Sequence, residues 1–600
     1  MAWVVFHTRR VRETLSKPPA LWADALLLLL VAAAVGGVVL LAAEAAAPQQ
    51  SRLVIDLRFS ALPKYAILSL ARGFAAYALS LLFTLVYATT AAHHARAERI
   101  MIPALDVLQS VPVLAFLPGL VLAMIRLFPS REVGLEIACI VMIFTGQVWN
   151  MTFSFHGSLR AIPTTLREVA AVNHLRGFQA FGWLEIPAAM IGLVWNSMMS
   201  MAGGWFFLTV TEAFTLGNQD YRLPGIGSYM SDAMQQGNAS AIAGGLITML
   251  VIIVVVDQFF WRPIVAWSQR FKMEEIAAAE SPHSWVLSTI QHSHLHLWLG
   301  NLWAHFHATR FAISAHESRS VERPGLLLSR IERWRLTRVA GAWGVIRPVV
   351  GGAIVAAIAA GVVWGLWSLV MLLRDLPLDD PTTHDDWRHI VMALGASFLR
   401  TSAAVVLGAI WTLPVGIMIG RSPKWSRRMQ PIIQVLASFP APMLFPLAIA
   451  ALNWFHVPFT IGCVSLMLLG TQWYILFNII AGATAIPADL KEVATVYRLG
   501  AVNRWTKLYI PCVFPYLITG LVTAAGGAWN ATIVSEYLHL HGTTYSAFGL
   551  GSTINHATAS GNFSLLAASV VVMAVSVVSI NRLFWKRLYR LAEVRYSLTS

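Results

Sequence analysis

Charge is what this chain has least of. Only 12% of its 600 residues are Asp, Glu, Lys or Arg, about half the share of a soluble domain, and 29 acidic side chains face 43 basic ones. Cysteine is almost absent. Cys139, Cys463 and Cys512 form an odd set, all in or beside apolar stretches, which excludes a disulfide framework and leaves them as small packing residues. The phosphate loop G-x-x-x-x-G-K-[ST] occurs nowhere, so the chain has no such cradle for ATP. Paired carboxylates and Ser/His/Asp or Cys/His arrangements are also missing outside the apolar runs, and no catalytic residue, cofactor or metal site is predicted.

What is present is apolar sequence, 57% of the total, in runs long enough to cross a bilayer. A crossing of about 30 Å takes roughly 20 residues at the helical rise, and about six such spans fall in each half. In the first half they are Leu21 to Ala43, Ala66 to Ala92, Val107 to Phe128, Val133 to Phe155, Ala188 to Phe214 and Ala241 to Phe260. In the second they are Val349 to Leu373, Ile390 to Ile419, Ile432 to Trp454, Phe459 to Ala481, Val513 to Ser535 and Leu565 to Phe584. The first has a basic flank (Arg9, Arg10, Arg12, Lys17) but is too long for a signal peptide and lacks a small-residue cleavage site, so it reads as an anchor.

The formal charge of +14 is dispersed in short clusters between spans, which marks cytoplasmic loops rather than a nucleic-acid surface. That rule puts five segments on the cytoplasmic side: the N-terminal segment, the loop with Arg96 and Arg99, the loop with Arg160, Arg167 and Arg176, the middle linker, and the tail with Lys586, Arg587 and Arg590. The acidic stretch Asp375 to Asp386 falls on the periplasmic side. The expected fold is an all-α membrane protein with about 12 transmembrane helices, both termini cytoplasmic and the lipid bilayer as its surroundings.

The sequence also contains itself twice. Ile162-Pro163, Glu168, Ile186-Pro187, Gly203, Trp205, Glu212, Gly225 and Gly227 return 324 positions later as Ile486-Pro487, Glu492, Ile510-Pro511, Gly527, Trp529, Glu536, Gly549 and Gly551. Upstream the shift is 328, pairing Arg72 with Arg400, Pro103 with Pro431, Pro112 with Pro440 and Pro118 with Pro446. Each copy is then a structural unit, and an even number of spans per copy makes the duplication parallel rather than inverted. Between the copies, Trp261 to Arg347 holds seven of the 18 histidines: His283, His292, His294, His296, His305, His307 and His316. Leu295, Trp298, Leu299, Leu302, Trp303 and Phe306 give that linker one apolar helical face of the interfacial type. His292 and His296 would share a helix face, but no carboxylate or Cys completes a tetrahedral site.

The loops after the fourth span of each half share a plan. Ser158-Leu-Arg-Ala-Ile-Pro163, Leu166-Arg-Glu168-Val-Ala170-Ala171 and Gly177 precede Ile186-Pro187, and Ala485-Ile-Pro487, Leu490-Lys-Glu492-Val-Ala494-Thr495 and Gly500 precede Ile510-Pro511. Pro at a helix start and Gly after its end punctuate two short helices around a turn. This pattern resembles the EAA loop of binding-protein-dependent ABC importer permeases, the type-1 (MetI-like) transmembrane family, through both halves from about the second span onward. Ser69-Leu-Ala-Arg72-Gly73-Phe74, Gly526-Gly527-Ala-Trp529-Asn530 with Ser535-Glu536, and Gly203-Gly204-Trp205 with Thr211-Glu212 are similar to the nitrate, sulfonate and taurine class within it.

The resemblance implies two tandem permease domains, two ABC ATPase subunits docked on the cytoplasmic loops, and a periplasmic substrate-binding protein. It implies import of a small anionic solute across the bacterial inner membrane by alternating access. On that reading Glu168 and Glu492 anchor the ATPases, Ala170, Ala171 and Ala494 permit close approach, and Gly177 and Gly500 turn the chain back. One departure stands out: the family's Gly follows Glu by six residues, whereas here the intervals are 9 and 8, although Glu to Pro is 19 in both copies. The plainer alternative, an ordinary amphipathic loop, does not account for two copies at a fixed offset. A fused iron(III) or thiamine permease would carry two such loops as well. An ion-coupled secondary transporter would instead show intramembrane carboxylates and no duplicated coupling loop.

Arg72 and Arg400 lie inside apolar spans, a costly placement unless each is paired, snorkelled or water-exposed. With Glu212, Glu536, Trp205 and Trp529 they are candidates for a translocation path, one Arg from each half meeting an anion. The alternative is pairing with a helix carboxylate such as Glu212 or Glu536. Gly203, Gly204, Gly526 and Gly527 are expected to let helices pack closely, and Pro112, Pro118, Pro440, Pro442 and Pro446 to break spans three and nine. The expected organisation has a first permease domain at 65–265 and a second at 389–588. Before them lie the N-terminal segment, first span and periplasmic loop (1–64). Between them lie the cytoplasmic linker (266–345) and the seventh span with its acidic loop (346–388), and a tail follows at 589–600.

Overall fold

Apolar runs in hydrocarbon must satisfy their backbone groups internally, and helices do so. The computed structural model describes residues 21–47, 53–129, 132–175, 177–216, 219–271, 284–291, 356, 360–361, 363–379, 385–540 and 542–596. The first half runs α1 (Leu21–Ala46), α2 (Leu62–His93), α3 (Ala95–Ser110), α4 (Leu117–Leu127), α5 (Val133–Arg160), α6 (Thr164–Val172), α7 (Ile186–Glu212), α8 (Ile226–Gln236) and α9 (Ala239–Val256). The second runs α10 (Trp387–Arg421), α11 (Pro423–Ser438), α12 (Ala441–Trp454), α13 (Phe459–Thr484), α14 (Ala488–Val496), α15 (Ile510–Ser535), α16 (Leu550–Ser560), α17 (Phe563–Ile580) and α18 (Lys586–Tyr596). From α2 onward, each first-half helix through α9 has its mate eight places later. Two short hairpins pair Thr215–Leu216 with Gln219–Asp220 and Tyr537–Leu540 with Thr543–Ser546.

The described residues fall into two compact units, one from 1–32 with 285–375 and one from 33–284 with 376–600. The smaller holds the short helices Trp285–Gln291 and Val363–Arg374. The larger holds both repeats. Among the described residues nine helices are long and apolar enough to cross a membrane. Of the expected seventh span the structure describes the stretch Val363–Arg374, while Arg176 and the histidines of the linker lie outside the described residues.

Spans three and nine are each broken into two bent helices, and counting each pair as one span brings the nine to 11 among the described residues. Helices α3 and α4 meet at 83°, and α11 and α12 at 90°. The breaks fall at Pro112 and Pro440, whose extended backbones (ψ 112° and 118°) and missing N–H groups stop the helix, with Val111 and Phe439 extended before them. The preceding limbs, α3 and α11, carry charge along one face (Arg96, Glu98 and Arg99; Lys424, Arg427 and Arg428), which explains why the apolar run there is short.

In each half a three-helix core forms, α2, α5 and α7 in the first and α10, α13 and α15 in the second. Met151, Phe155 and Leu159 of α5 pack on Ala88 and Ala189. Ile475 and Ile479 of α13 pack on Ile417 and Val513. The duplication extends to irregularities: π-helical turns at Phe181–Glu185 and Asp257–Trp261 recur 324 residues later at Trp505–Tyr509 and Asn581–Trp585.

Candidate functional site

Three features stand out in the repeated unit: a buried ion network at one end of the helices, an exposed helical loop at the other, and a cavity between the halves. The network begins with Arg72 on α2. Its Nε and Nη2 fork onto Glu136 at 2.7 and 2.6 Å, and its Nη1 donates to Glu212 Oε1 and the Pro224 carbonyl, both at 2.8 Å. Ser69 Oγ lies 2.7 Å from Glu212 and accepts from the Ile226 N–H, while the Gly227 N–H donates to Glu212 at 2.8 Å. A Cβ on Gly225 would run into the Glu212 carboxylate, and one on Gly227 would come within 2.6 Å of the Thr209 carbonyl, so the two glycines let α8 seat against α7.

The second half repeats the Ser, Glu, glycine N–H and Arg of this network, without a counterpart of Glu136. Ser397 lies 2.8 Å from Glu536 and accepts from the Leu550 N–H, the Gly551 N–H donates to Glu536, and Arg400 Nη1 donates to Glu536 at 3.1 Å and to the Phe548 carbonyl at 2.6 Å. The pairing expected of the two intramembrane arginines is therefore made in both halves. Glu136 is a partner that the sequence reading does not name, and Ser69 stands there only within the Ser69-to-Phe74 pattern, with no role assigned. The signal was available: Glu136 is an acidic residue inside an apolar span, and Ser69 has Ser397 as its mate at the same shift as the arginines.

At the other end, α6 and α14 follow α5 and α13. Glu168 and Glu492 are exposed, as are the apolar Val169, Val172, Val493 and Val496 beside them. Of the small residues in these helices, Ala170 and Ala494 pack against the rest of the chain. Both are turned inward and buried, Ala494 in a core with Ile486, Leu508 and Tyr509, whereas Ala171 faces outward. The turn is also placed differently from the expectation. His174 (φ 56°) and Arg498 (φ 47°) take the left-handed conformation six residues after Glu168 and Glu492, where the family has Gly. Leu175 N–H bonds the Ala170 carbonyl and His174 N–H that of Ala171, and Leu499 and Arg498 do the same with Ala494 and Thr495. Both helices thus end in a Schellman closure. Gly177 also has positive φ (51°), but Gly500 does not (φ −62°) and serves as the residue before the next short helix.

Between the halves lies a cavity of about 870 Å³, lined by α5 and α7 of the first half and α13 and α15 of the second. Asn150, Asn196, Tyr474, Thr523 and Asn530 give it neutral polar walls. Trp529 lines it, whereas Trp205 is buried against Gly73, and Arg72, Arg400, Glu212 and Glu536 are held in the networks. Gly204 packs on Gln147 as expected of a small residue, while Gly203, Gly526 and Gly527 line the cavity. The halves also touch through unlike mates. Asn530 accepts the Val113 N–H at 2.8 Å beside the Pro112 break, and Phe206, its counterpart, packs with Ala441 and Phe445.

Two parallel copies of a helical membrane unit, each with a buried Arg–Glu network, a Schellman-closed surface loop and a shared central cavity, define a duplicated membrane permease. The chain belongs to the family of binding-protein-dependent transport system inner membrane components, which matches residues 80–260 and 412–595; it is a fused pair of type-1 ABC permease domains. It is similar to the nitrate import permease protein NrtB of Leptolyngbya laminosa, 27% identical over 190 residues that make up 32% of this chain and 64% of the relative. It is similar also to the bicarbonate transport system permease protein CmpB of Synechocystis sp., 33% identical over 141 residues, 24% of this chain and 49% of the relative. The chain thus spans between about half and two thirds of the length of the curated relatives it matches.

Proposed function

We propose that this chain is the complete membrane-spanning body of an ATP-driven importer for a small oxyanion of the nitrate, bicarbonate or sulfonate kind. Residues 65–265 and 389–588 form its two permease domains. Two ABC ATPase subunits dock on α6 and α14, with Glu168 and Glu492 as polar anchors, and a periplasmic substrate-binding protein delivers the anion at the opposite face. Both termini are cytoplasmic, and the halves rock against each other to give alternating access.

The observation that carries this reading is the duplicated loop. A nine-residue helix with an exposed Glu, two exposed valines and an inward Ala, closed by the same turn, occurs twice at equivalent positions. A short helix whose inner face is locked into the core transmits displacement where a loose loop would absorb it. The named relatives carry nitrate and bicarbonate, and a cavity lined by amides, hydroxyls and basic side chains suits such solutes. The test is reconstitution of the chain with its ATPase and binding protein and measurement of ATP-dependent uptake of nitrate, bicarbonate and taurine. Glu168→Ala with Glu492→Ala is expected to cut uptake by about tenfold or more and to weaken ATPase co-purification. Uptake and co-purification both unchanged would overturn the coupling assignment.

A further inference from the structure

The buried arginines are committed to protein groups, so the attraction for an anion must come from elsewhere. Arg72 is fully buried with Glu136 and Glu212, Arg400 is tied to Glu536 and two carbonyls, and neither lines the cavity. Among the described residues, the positive charge on the cavity lining has a single source. Arg582, in the turn before α18, and Lys586 and Arg590 within it are spaced by four and share one helix face. Helix α18 packs on α15, and this face looks onto the cavity beside Thr519 and Thr523. Among the described residues Asp106, bonded by Gln109, is the one carboxylate on the lining.

The first half has no equivalent. Its mates 324 residues earlier are Gln258, Arg262 and Ala266, and Arg262 is bonded to Asp257 at 3.0 Å. There Trp261 and Asp257 close against α7 and α11 around a space of only about 10 Å³. A feature that composition assigns to a solvated tail is in the structure a charged wall on one side of the cavity.

We infer that the cavity is an anion passage whose electrostatic selectivity comes from Arg582, Lys586 and Arg590 of the second half alone, drawing a small oxyanion toward α18 rather than toward Arg72 and Arg400. Three exposed cations against one carboxylate on the cavity lining raise the local anion concentration, and the neutral amides and hydroxyls of the other walls solvate the anion without trapping it. This rests on the importer reading for its direction of flow, but the electrostatics can be read without transport.

The full-length chain in lipid nanodiscs, with Cys139, Cys463 and Cys512 changed to Ala and Thr523→Cys introduced, would be treated with two thiol reagents. One is the anionic 2-sulfonatoethyl methanethiosulfonate and the other its cationic trimethylammonioethyl counterpart. The ratio of anionic to cationic reaction rates is expected to fall about tenfold on Arg582→Gln, Lys586→Gln and Arg590→Gln together, and to stay within about twofold on Arg262→Gln. Both reagents report on one thiol in one sample, so general unfolding would move both rates together. An unchanged ratio in the triple variant, an equal fall with Arg262→Gln, or a thiol that neither reagent reaches would each overturn the inference. No ATPase or binding protein is needed, so absent uptake alongside the expected shift in ratio would count against the importer reading alone.

Discussion

In the first half Arg72 divides its guanidinium between two carboxylates; in the second Arg400 has one carboxylate and two backbone carbonyls. The difference is a single position. Glu136 at the start of α5 stands where the second half has Thr460, and the carbonyl of Thr460 takes the Arg400 Nε at 3.1 Å in place of a side chain. The Arg72 side chain is wholly buried, that of Arg400 12% exposed. What both halves keep is the Ser, the Glu, the glycine N–H and the carbonyl before it, the groups that strap α8 onto α2 and α7, and α16 onto α10 and α15. What the first half adds is an ionic tie from α2 to α5. The strap is thus the common architectural element, and the extra carboxylate makes the first half the more firmly stapled of the two.

The sharpest way to break this comparison is to remove each arginine. Arg72→Gln leaves two buried carboxylates without a counter-charge and is expected to cost about 3–5 kcal/mol. Arg400→Gln leaves one, still bonded by Ser397 and Gly551, and is expected to cost about 1.5–3 kcal/mol. Thermal melting in nanodiscs measures both, and equal losses would show that Glu136 adds nothing. Next in size is Glu136→Thr, which gives the first half the second half's residue. It is expected to cost about 1–3 kcal/mol and to bring a subsequent Arg72→Gln down to the cost of Arg400→Gln, a coupling that a double-mutant cycle reads directly.

How much of this was legible in the sequence depended on whether the signal was local. The duplication and the Pro112 and Pro440 breaks follow from residue spacing and from proline's missing N–H, and the structure has them, with nine to 11 of the about 12 expected spans among the described residues. The partnering of Arg72 with Glu212 was open to inference because both are costly in an apolar span, whereas Glu136 and Ser69 join the network only through a three-helix packing that no periodicity encodes. The cavity-facing side of α18 was hidden for the same reason: a basic tail obeys the charge-sidedness rule whether or not it folds back on α15. The turn after α6 and α14 was not legible because Gly is the ordinary marker of a left-handed residue, and here His174 and Arg498 adopt that conformation.

That last point gives the smallest expected effect and the one on which the halves should agree. A left-handed His or Arg pays a steric cost between Cβ and the next carbonyl that Gly avoids, so His174→Gly and Arg498→Gly should each stabilise the local turn by about 1 kcal/mol. The readout is hydrogen exchange at the Leu175 and Leu499 amides, which close onto Ala170 and Ala494 and should slow by about fivefold in the matching variant. Slowing in one loop only would mean that the copies differ at the surface end as well as at the buried one. Equal slowing confines the asymmetry to the ion network and to α18. If ATPase co-purification then falls although the turn is firmer, the His and Arg side chains themselves contribute to docking, which gives a reason for a strained residue to stand where glycine would fit.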